Sequence, residues 1–326
     1  MTDLPSKSGW QYAATMTLQE LVDEIDRQPA WRQHGKRAPH KPLTILYAIS
    51  QALSGNRIVR YEQAEPTLRS LLDKFGPPRQ QLHPEHPVWR LRRYKTGTTS
   101  FWEIQGAVEN MQDSEGNPYI GPMRQYISFG LSEPAANLLC VNPANAYALA
   151  ATLAEQIVPP TLQGELLDFV GIGTSDNPRP TLAAADPVLV ARTTRIGSTL
   201  VRDRTFSRKV RAAYSDACAI CSISPRLAGE VFGLEAAHIR WANAGGPDEL
   251  RNGVCLCRMH HHALDKGAIK IDDDMRVRVS SKLVRSRESD AMFACFSGER
   301  IRLPKATADH PHLKMLEWHW SEVFKG

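Results

Sequence analysis

Residues 218–265 read CAICSISPRLAGEVFGLEAAHIRWANAGGPDELRNGVCLCRMHHHALD, with a short ligand pair at the start and another near the end. The first pair is Cys218-x-x-Cys221, and the second, after 35 intervening residues, is Cys257-x-x-His260. Two such pairs can converge on one ion, and thiolate and imidazole ligands form closed tetrahedral zinc sites. The spacing therefore predicts that these four side chains hold a structural Zn²⁺ ion.

Three further polar residues lie within the same stretch. His238, Asn252 and His261 follow one another at separations of 14 and 9 residues. Together with the ligand pairs, they give this part of the chain a pattern that resembles the zinc-containing branch of the HNH endonuclease family. The resemblance implies a ββα-metal fold, in which a two-stranded hairpin packs on a helix around a metal ion, and it implies DNA cleavage.

Phosphodiester hydrolysis requires an activated water and a cation near the leaving oxygen. Histidine is a competent base at neutral pH, and His238 follows an apolar, strand-like run, so we predict that it is the general base. The resemblance implies the same role for His238, and it implies that Asn252 orients the base through the facing strand. His261 is predicted to bind a catalytic Mg²⁺, Mn²⁺ or similar divalent ion.

One position departs from the family pattern. Many family members carry an Asp ligand directly before the first His, whereas this chain has Ala237. Asp265, one helical turn beyond His261, is the nearest acidic candidate for a second metal ligand; otherwise water and substrate phosphate complete the shell. Ala237 also leaves open a non-catalytic, zinc-containing DNA-binding protein.

A second set of motifs lies in the first half of the chain. Four blocks occur in order: PHKPL at 39–43, FGPPR at 75–79, HPEHPVWRL at 83–91 and FWE at 101–103. Their order resembles the sulfur-binding domain of modification-dependent restriction enzymes. The resemblance implies that the partner is double-stranded DNA with a phosphorothioate in its backbone. A protein that reads methylated bases or an unmodified sequence is the alternative.

Recognition of sulfur calls for apolar surface beside positive charge. Sulfur in place of a phosphate oxygen is larger and poorly hydrated, so an apolar wall favours it while cations hold the phosphate charge. The candidate contacts to the sulfur and its phosphate are His40, Lys41, Arg79, His86 and Pro87. The candidate contacts to the DNA backbone are Arg90, Arg93, Arg204 and Arg208.

Hydrophobic periodicity predicts the organisation of the chain. We predict helices over residues 17–29, 42–54, 62–74 and 143–157, and a β-hairpin over 86–105. A Pro-, Gly- and Ala-rich composition indicates a linker before the cysteine cluster. The prediction is an α+β protein with a mixed helical and β-hairpin DNA-recognition domain (1–165), a linker (166–191) and a zinc-containing HNH domain (192–326).

Composition is that of an ordinary globular protein, with 326 residues, 42% hydrophobic residues and a net charge of +5. The last 135 residues hold an excess of seven positive charges, which favours a polyanionic partner. The sequence has neither a bilayer-spanning apolar run nor a signal-peptide-like start, so we expect a cytoplasmic protein with no membrane partner. Cutting both strands with one site per chain suggests a homodimer or two binding events.

Overall fold

The computed structural model describes residues 16–28, 38–92, 100–106, 111–173, 184–190 and 205–326. Within these ranges the first half of the molecule (described residues up to 190) is mainly helical and contains a small antiparallel sheet, and the second half comprises residues 205–326. The second half is built on a two-stranded hairpin that packs against a helix. This arrangement confirms the predicted α+β fold class.

The first half has helices before, between and after the strands of its sheet. The helices are α1 (Leu18–Asp26), α2 (His40–Leu53), α3 (Tyr61–Phe75), α4 (Glu85–Leu91), α5 (Ile120–Tyr126), α6 (Glu133–Cys140), α7 (Pro143–Ile157) and α8 (Pro160–Phe169). The strands are β1 (Ile58–Arg60), β2 (Trp102–Gln105) and β3 (Ser128–Leu131), in the spatial order β1-β3-β2. No helix in the described part of the chain is long and apolar enough to cross a membrane.

The four helices predicted from periodicity are present. Helix α1 begins with a capping box, in which the Thr17 side chain accepts from the Glu20 backbone and the Glu20 carboxylate accepts from the Thr17 backbone. Helix α2 starts two residues earlier than predicted, and Pro42 lies in its first turn, where a proline is tolerated. Helix α7 has the predicted bounds.

The predicted hairpin over residues 86–105 is wrong in its first arm. Residues Glu85–Leu91 form helix α4, which buries Val88, Trp89 and Leu91 on the side that meets the core. Pro87 lies in the first turn of this helix, whereas in a strand it would remove a ladder hydrogen bond. The second arm is strand β2, and its partner is the distant strand β3.

In the second half, residues 205–213 are helical (α9), and a short hairpin of β4 (Arg226–Leu227) and β5 (Glu230–Val231) follows. Strands β6 (Leu234–His238) and β7 (Gly253–Cys257) pair antiparallel, so that His238 lies opposite Gly253. Helix α10 (Arg258–Lys266) follows β7 directly and packs on both strands. The remaining elements are β8 (Ile269–Ile271), β9 (Val277–Val279), α11 (Arg287–Met292) and α12 (Leu313–Glu322).

The two halves of the molecule are packed against each other. Trp241, Trp318 and Val323 of the second half belong to the hydrophobic core of the first half. The Lys325 ammonium donates hydrogen bonds to backbone carbonyls of the first half at 2.6 and 2.9 Å. Helix α8 of the first half packs against α10 of the second. The position of the second half relative to the first is therefore fixed by apolar burial as well as by polar contacts.

Helix α8 runs through residue 165, which is the predicted end of the first domain. Leu166, Leu167, Ile172 and Leu189 are buried in the same core, although they belong to the segment predicted as a linker. Apolar side chains within that segment pack onto the helices that precede it, so its described residues do not form an exposed tether. The division of the chain into domains stays a prediction.

We predict that His319 makes folding stability depend on pH. This histidine is fully buried in α12, donates from Nε2 to the Leu264 carbonyl, and burial lowers its pKa to about 4. In the unfolded chain, His319 takes up a proton near pH 6.5. The stability that the neutral, buried His319 contributes is therefore complete above that pH and is lost as the pH falls towards 4. The expected loss in unfolding free energy is about 3 kcal/mol.

The measurement is chemical denaturation between pH 4 and 7 for the wild type and for His319→Gln. The variant keeps a hydrogen-bond donor but cannot titrate, so the stability difference between the proteins should shrink with falling pH. A difference that stays constant would contradict the assignment.

Candidate functional site

The two predicted ligand pairs converge in the structure. One potential ligand atom from each of Cys218, Cys221, Cys257 and His260 lies within 4.8 Å of the others. His260 Nδ1 is 3.2 Å from Cys257 Sγ and 3.6 Å from Cys218 Sγ, and the Cys221 and Cys257 sulfurs are 4.0 Å apart. Ligands about 2.3 Å from a tetrahedral Zn²⁺ are about 3.8 Å apart, so this donor set fits such an ion.

The surroundings of His260 leave Nδ1 facing the sulfurs. Its Nε2 lies 2.9 Å from the Met292 carbonyl oxygen and donates to it, which fixes the tautomer with a free Nδ1. The rings of Phe293 and Phe296 meet the imidazole edge-on and shield it. Cys255, in the middle of β7, is buried in the core, and burial raises the pKa of its thiol to about 12. It is not part of the cluster.

His238 stands at the end of β6 with its ring held on two sides. The ring stacks on Phe206 of α9, with centroids 4.1 Å apart and planes inclined by 16°. Its Nε2 lies 2.9 Å from Oδ1 of Asp248. Gly253 makes the close approach of α9 to this site feasible, because a Cβ there would lie 2.5 Å from a methyl carbon of Val210. The base candidate is thus fixed in position but remains partly open to solvent.

Asn252 holds the loop that joins β6 to β7 through hydrogen bonds to its backbone. The side chain is only 1% exposed, and its amide nitrogen donates to the carbonyls of Arg240 (3.0 Å) and Pro247 (2.9 Å). Its amide oxygen accepts from the Arg240 backbone N–H at 2.8 Å. The Asn252 carbonyl also accepts from the Ile239 N–H, directly after the base candidate. These contacts join Asn252 to the backbone directly after His238, and the role of Asn252 in orienting the base stays a prediction.

His261 lies on α10 between two carboxylates. Its Nδ1 is 2.8 Å from Glu235 Oε2, and its Nε2 is 3.1 Å from Asp265 Oδ2. Burial lowers the pKa of His261, but the two carboxylates outweigh burial and raise it to about 10. The imidazole–carboxylate separation on the Glu235 side is close to that of adjacent ligands bonded at about 2.1 Å to Mg²⁺. These two side chains could hold the catalytic ion.

Asp265 occupies a different environment from the one predicted for a metal ligand. It is 2% exposed, and its carboxylate accepts hydrogen bonds from Trp241 Nε1 (2.9 Å) and from the Thr161 hydroxyl (2.5 Å). With His261 Nε2 also beside Oδ2, these donors engage both oxygens. The geometry supports Asp265 as the residue that orients His261, and Glu235 as the second ligand.

The candidate sulfur contacts lie at the starts of two packed helices. His40 and Lys41 are in the first turn of α2, and His86 and Pro87 are in the first turn of α4. The His86 ring stacks on His83, with centroids 4.7 Å apart, and burial lowers the pKa of His86. Pro87 is buried. The assignment of these residues to sulfur binding stays a prediction.

The candidate arginines have varied environments. Arg79 pairs with Glu322 of α12 at 3.3 Å, so in this structure it contacts the second half of the chain. Arg90 donates to the Asn117 side chain. Arg208 is exposed on α9, on the side away from the buried Phe206. Two further candidates, Arg93 and Arg204, lie outside the described residues.

Two family matches agree with this geometry. Residues 18–175 match the family described as ScoMcrA-like, DNA sulfur-binding domain, and residues 218–272 match the HNH endonuclease family. The chain therefore carries a DNA sulfur-binding domain followed by an HNH endonuclease domain. Both families predicted by resemblance from the sequence are confirmed.

Solved structures include several partial relatives. The sulfur-binding domain of ScoMcrA complexed with phosphorothioated DNA is 25% identical, over 46% of this chain and 93% of that chain, with a TM-score of 0.39. The modification-dependent TagI restriction endonuclease is 23% identical, over 35% of this chain and 36% of that chain, with a TM-score of 0.27. The alignment thus spans little more than a third of TagI. A search of curated proteins found no significant match.

Sequence reasoning missed two carboxylates beside the candidate histidines, Asp248 next to His238 and Glu235 next to His261. Only Glu235 had a signal in the sequence. It lies two residues before Ala237 on β6, and side chains two apart on a strand share one face. A carboxylate displaced by two positions therefore still faces α10. The alternation of the strand was available in the sequence, whereas the position of His261 over that face was not.

We predict that Cys218→Ser removes the bound metal ion and destabilises the HNH domain. Loss of a structural metal site is among the largest single-residue effects, and we expect more than about 4 kcal/mol. Elemental analysis and thermal unfolding provide the two measurements. Cys295→Ser is the matched control, because Cys295 is an exposed thiol outside the cluster. A folded Cys218→Ser protein with full metal content would contradict this role.

Proposed function

We propose that this protein is a modification-dependent restriction endonuclease. Its sulfur-binding domain recognises double-stranded DNA that carries a phosphorothioate, and its HNH domain hydrolyses a phosphodiester bond nearby. The observation that carries the proposal is the assembly of His238, Asn252 and His261 around the β6–β7 hairpin and α10, in a chain that also matches a DNA sulfur-binding family.

In the proposed reaction, His238 takes a proton from the attacking water. Asp248, 2.9 Å from its Nε2, holds the ring and stabilises the imidazolium that forms. Phe206 and the loop that Asn252 holds keep the ring in place. A divalent ion, Mg²⁺ or Mn²⁺, supplies charge stabilisation at the leaving oxygen when it is bound by His261 and Glu235.

The Cys₃His cluster is proposed to hold Zn²⁺ as a structural ion. Its four protein ligands leave no open position, which separates this site from the catalytic one. The zinc ion would join the turn at Cys218–Cys221 to the junction of β7 and α10. It therefore acts on catalysis through the placement of His261.

For DNA recognition, we propose that His40 and Lys41 receive the modified phosphate at the start of α2. The N-terminal end of a helix carries partial positive charge and favours anions. Pro87 would supply apolar surface for the sulfur, and exposed Arg208 would contact the DNA backbone. Arg79 joins this set only if it leaves Glu322 when DNA binds. The cytoplasmic location and the homodimer remain predictions.

We expect His238→Ala to lower the cleavage rate by roughly 10²- to 10⁴-fold, the usual contribution of a general base. Binding of DNA and metal content should persist, because the side chain is not part of the Cys₃His cluster. The assay is metal-dependent nicking of phosphorothioated plasmid. His262→Ala, on α10, is the control and should cut normally. Unchanged cleavage by His238→Ala would remove this residue as the base.

We expect the full chain, made inactive by His238→Ala, to bind phosphorothioated duplex about 10- to 100-fold more tightly than the same unmodified duplex. Burial of a poorly hydrated sulfur is worth roughly 1–3 kcal/mol. Fluorescence anisotropy at several salt concentrations measures both affinities. Phosphate contacts weaken equally in both complexes as salt rises. The ratio of the two affinities should therefore be less salt-sensitive than either affinity.

Two further substitutions sharpen this test. Pro87→Ser should reduce the ratio, and Lys41→Ala should weaken both complexes. Lys282→Ala, an exposed lysine of the second half, is the matched control for charge. Equal affinities for the two duplexes at every salt concentration would favour a reader of methylated bases or unmodified sequence.

A further inference from the structure

We propose that Thr161, in helix α8 of the sulfur-binding half, is a positioning residue for the nuclease site. Its hydroxyl holds Asp265, which in turn holds the metal-binding His261. The inference rests on the proposed nuclease function and extends it. It implies that the active site is ordered only when the sulfur-binding half is packed against the nuclease half.

The contact crosses the interface between the two halves. Thr161 lies in the first turn of α8, and its Oγ1 donates to Asp265 Oδ2 at 2.5 Å across 104 residues of sequence. On the same face of α8, Glu165 pairs with Lys266 of α10. The Asn243 amide donates to the Glu155 carbonyl of α7 at 2.9 Å. The Thr161 hydroxyl is therefore placed by several independent contacts of the interface.

Asp265 is held by donors from both halves. Trp241 Nε1–H of the nuclease half donates to Oδ1 at 2.9 Å, while Thr161 donates to Oδ2. The carboxylate is 2% exposed, so water cannot readily replace a lost donor. With the Thr161 hydroxyl removed, Oδ2 keeps only His261 among these partners, and the carboxylate gains freedom to rotate.

The orientation of Asp265 determines which nitrogen of His261 is available to a metal ion. When a metal ion replaces the Nδ1 proton, the hydrogen bond from Nε2–H to Asp265 keeps the remaining proton on Nε2 and leaves Nδ1 facing Glu235. Outer partners of this kind fix the tautomer and the ring angle of metal-binding histidines. Thr161 thus acts on the metal site through two successive hydrogen bonds, although it belongs to the half that binds DNA.

The test uses the whole 326-residue chain with zinc bound, and three variants of it. Thr161→Val keeps the shape of the side chain but loses the donor, and Thr161→Ser keeps the donor. Thr152→Val is the control, because Thr152 is a buried threonine of α7 whose hydroxyl bonds within its own helix. For each protein we would measure Mn²⁺ affinity by titration, kcat and KM on phosphorothioated DNA, and the thermal midpoint.

We expect Thr161→Val to weaken Mn²⁺ binding about 10-fold, the lower end for an outer partner of a metal ligand. At saturating Mn²⁺, kcat should still fall because His261 is less well oriented, while KM for DNA stays unchanged. Thr161→Ser should restore Mn²⁺ affinity and kcat. Thr152→Val should resemble the wild type in both, whatever its thermal midpoint.

The proposal is overturned if Thr161→Val binds Mn²⁺ with wild-type affinity, or if Thr161→Ser fails to restore it. Failure of the proposed function has a different signature: the wild type would bind Mn²⁺ but cut no DNA, modified or unmodified. The comparison of Mn²⁺ affinities between variants would still decide the role of Thr161.

Discussion

The convergence of four side chains on one point is the constraint on which the nuclease half depends. Cys218 and Cys221 come from a turn, whereas Cys257 and His260 flank the junction between β7 and α10. A bound ion would tie these distant segments together and set the start of α10. Since His261 is the next residue along that helix, its direction follows from the cluster.

A second set of contacts places His238, the proposed general base, relative to that helix. Asn252 satisfies its buried amide entirely with backbone groups of the loop after His238, so the loop has one preferred path. Phe206 from α9 covers one face of the His238 ring. The two candidate histidines are therefore positioned by different contacts: His238 by the loop that Asn252 holds, and His261 by the Cys₃His cluster and two carboxylates.

The two halves are joined by a packed interface and not only by the chain that connects them. Indole rings of the nuclease half lie in the core of the sulfur-binding half, and Arg79 of the FGPPR block pairs with Glu322 of α12. A predicted DNA-recognition residue therefore contacts the half that carries the HNH domain. A shift of the first half relative to the second would therefore displace contacts of α10 and α12, because both helices form part of that interface.

The sequence by itself predicted both domain families, the ligand pairs and four of the helices, α1, α2, α3 and α7. Ligand pairs, the His-Asn-His spacing and the Thr17–Glu20 capping box depend on residues close along the chain, so their pattern is visible without a fold. Helix α4 was mistaken for a strand, because apolar residues in a seven-residue segment fit both periods and only their common burial decides between them. Tertiary structure alone placed Glu235 beside His261, engaged Asp265 with Trp241 and Thr161, and paired Arg79 with Glu322. These contacts join residues that are far apart in sequence, and local propensity carries no information about which distant side chains the packing of two halves will bring together.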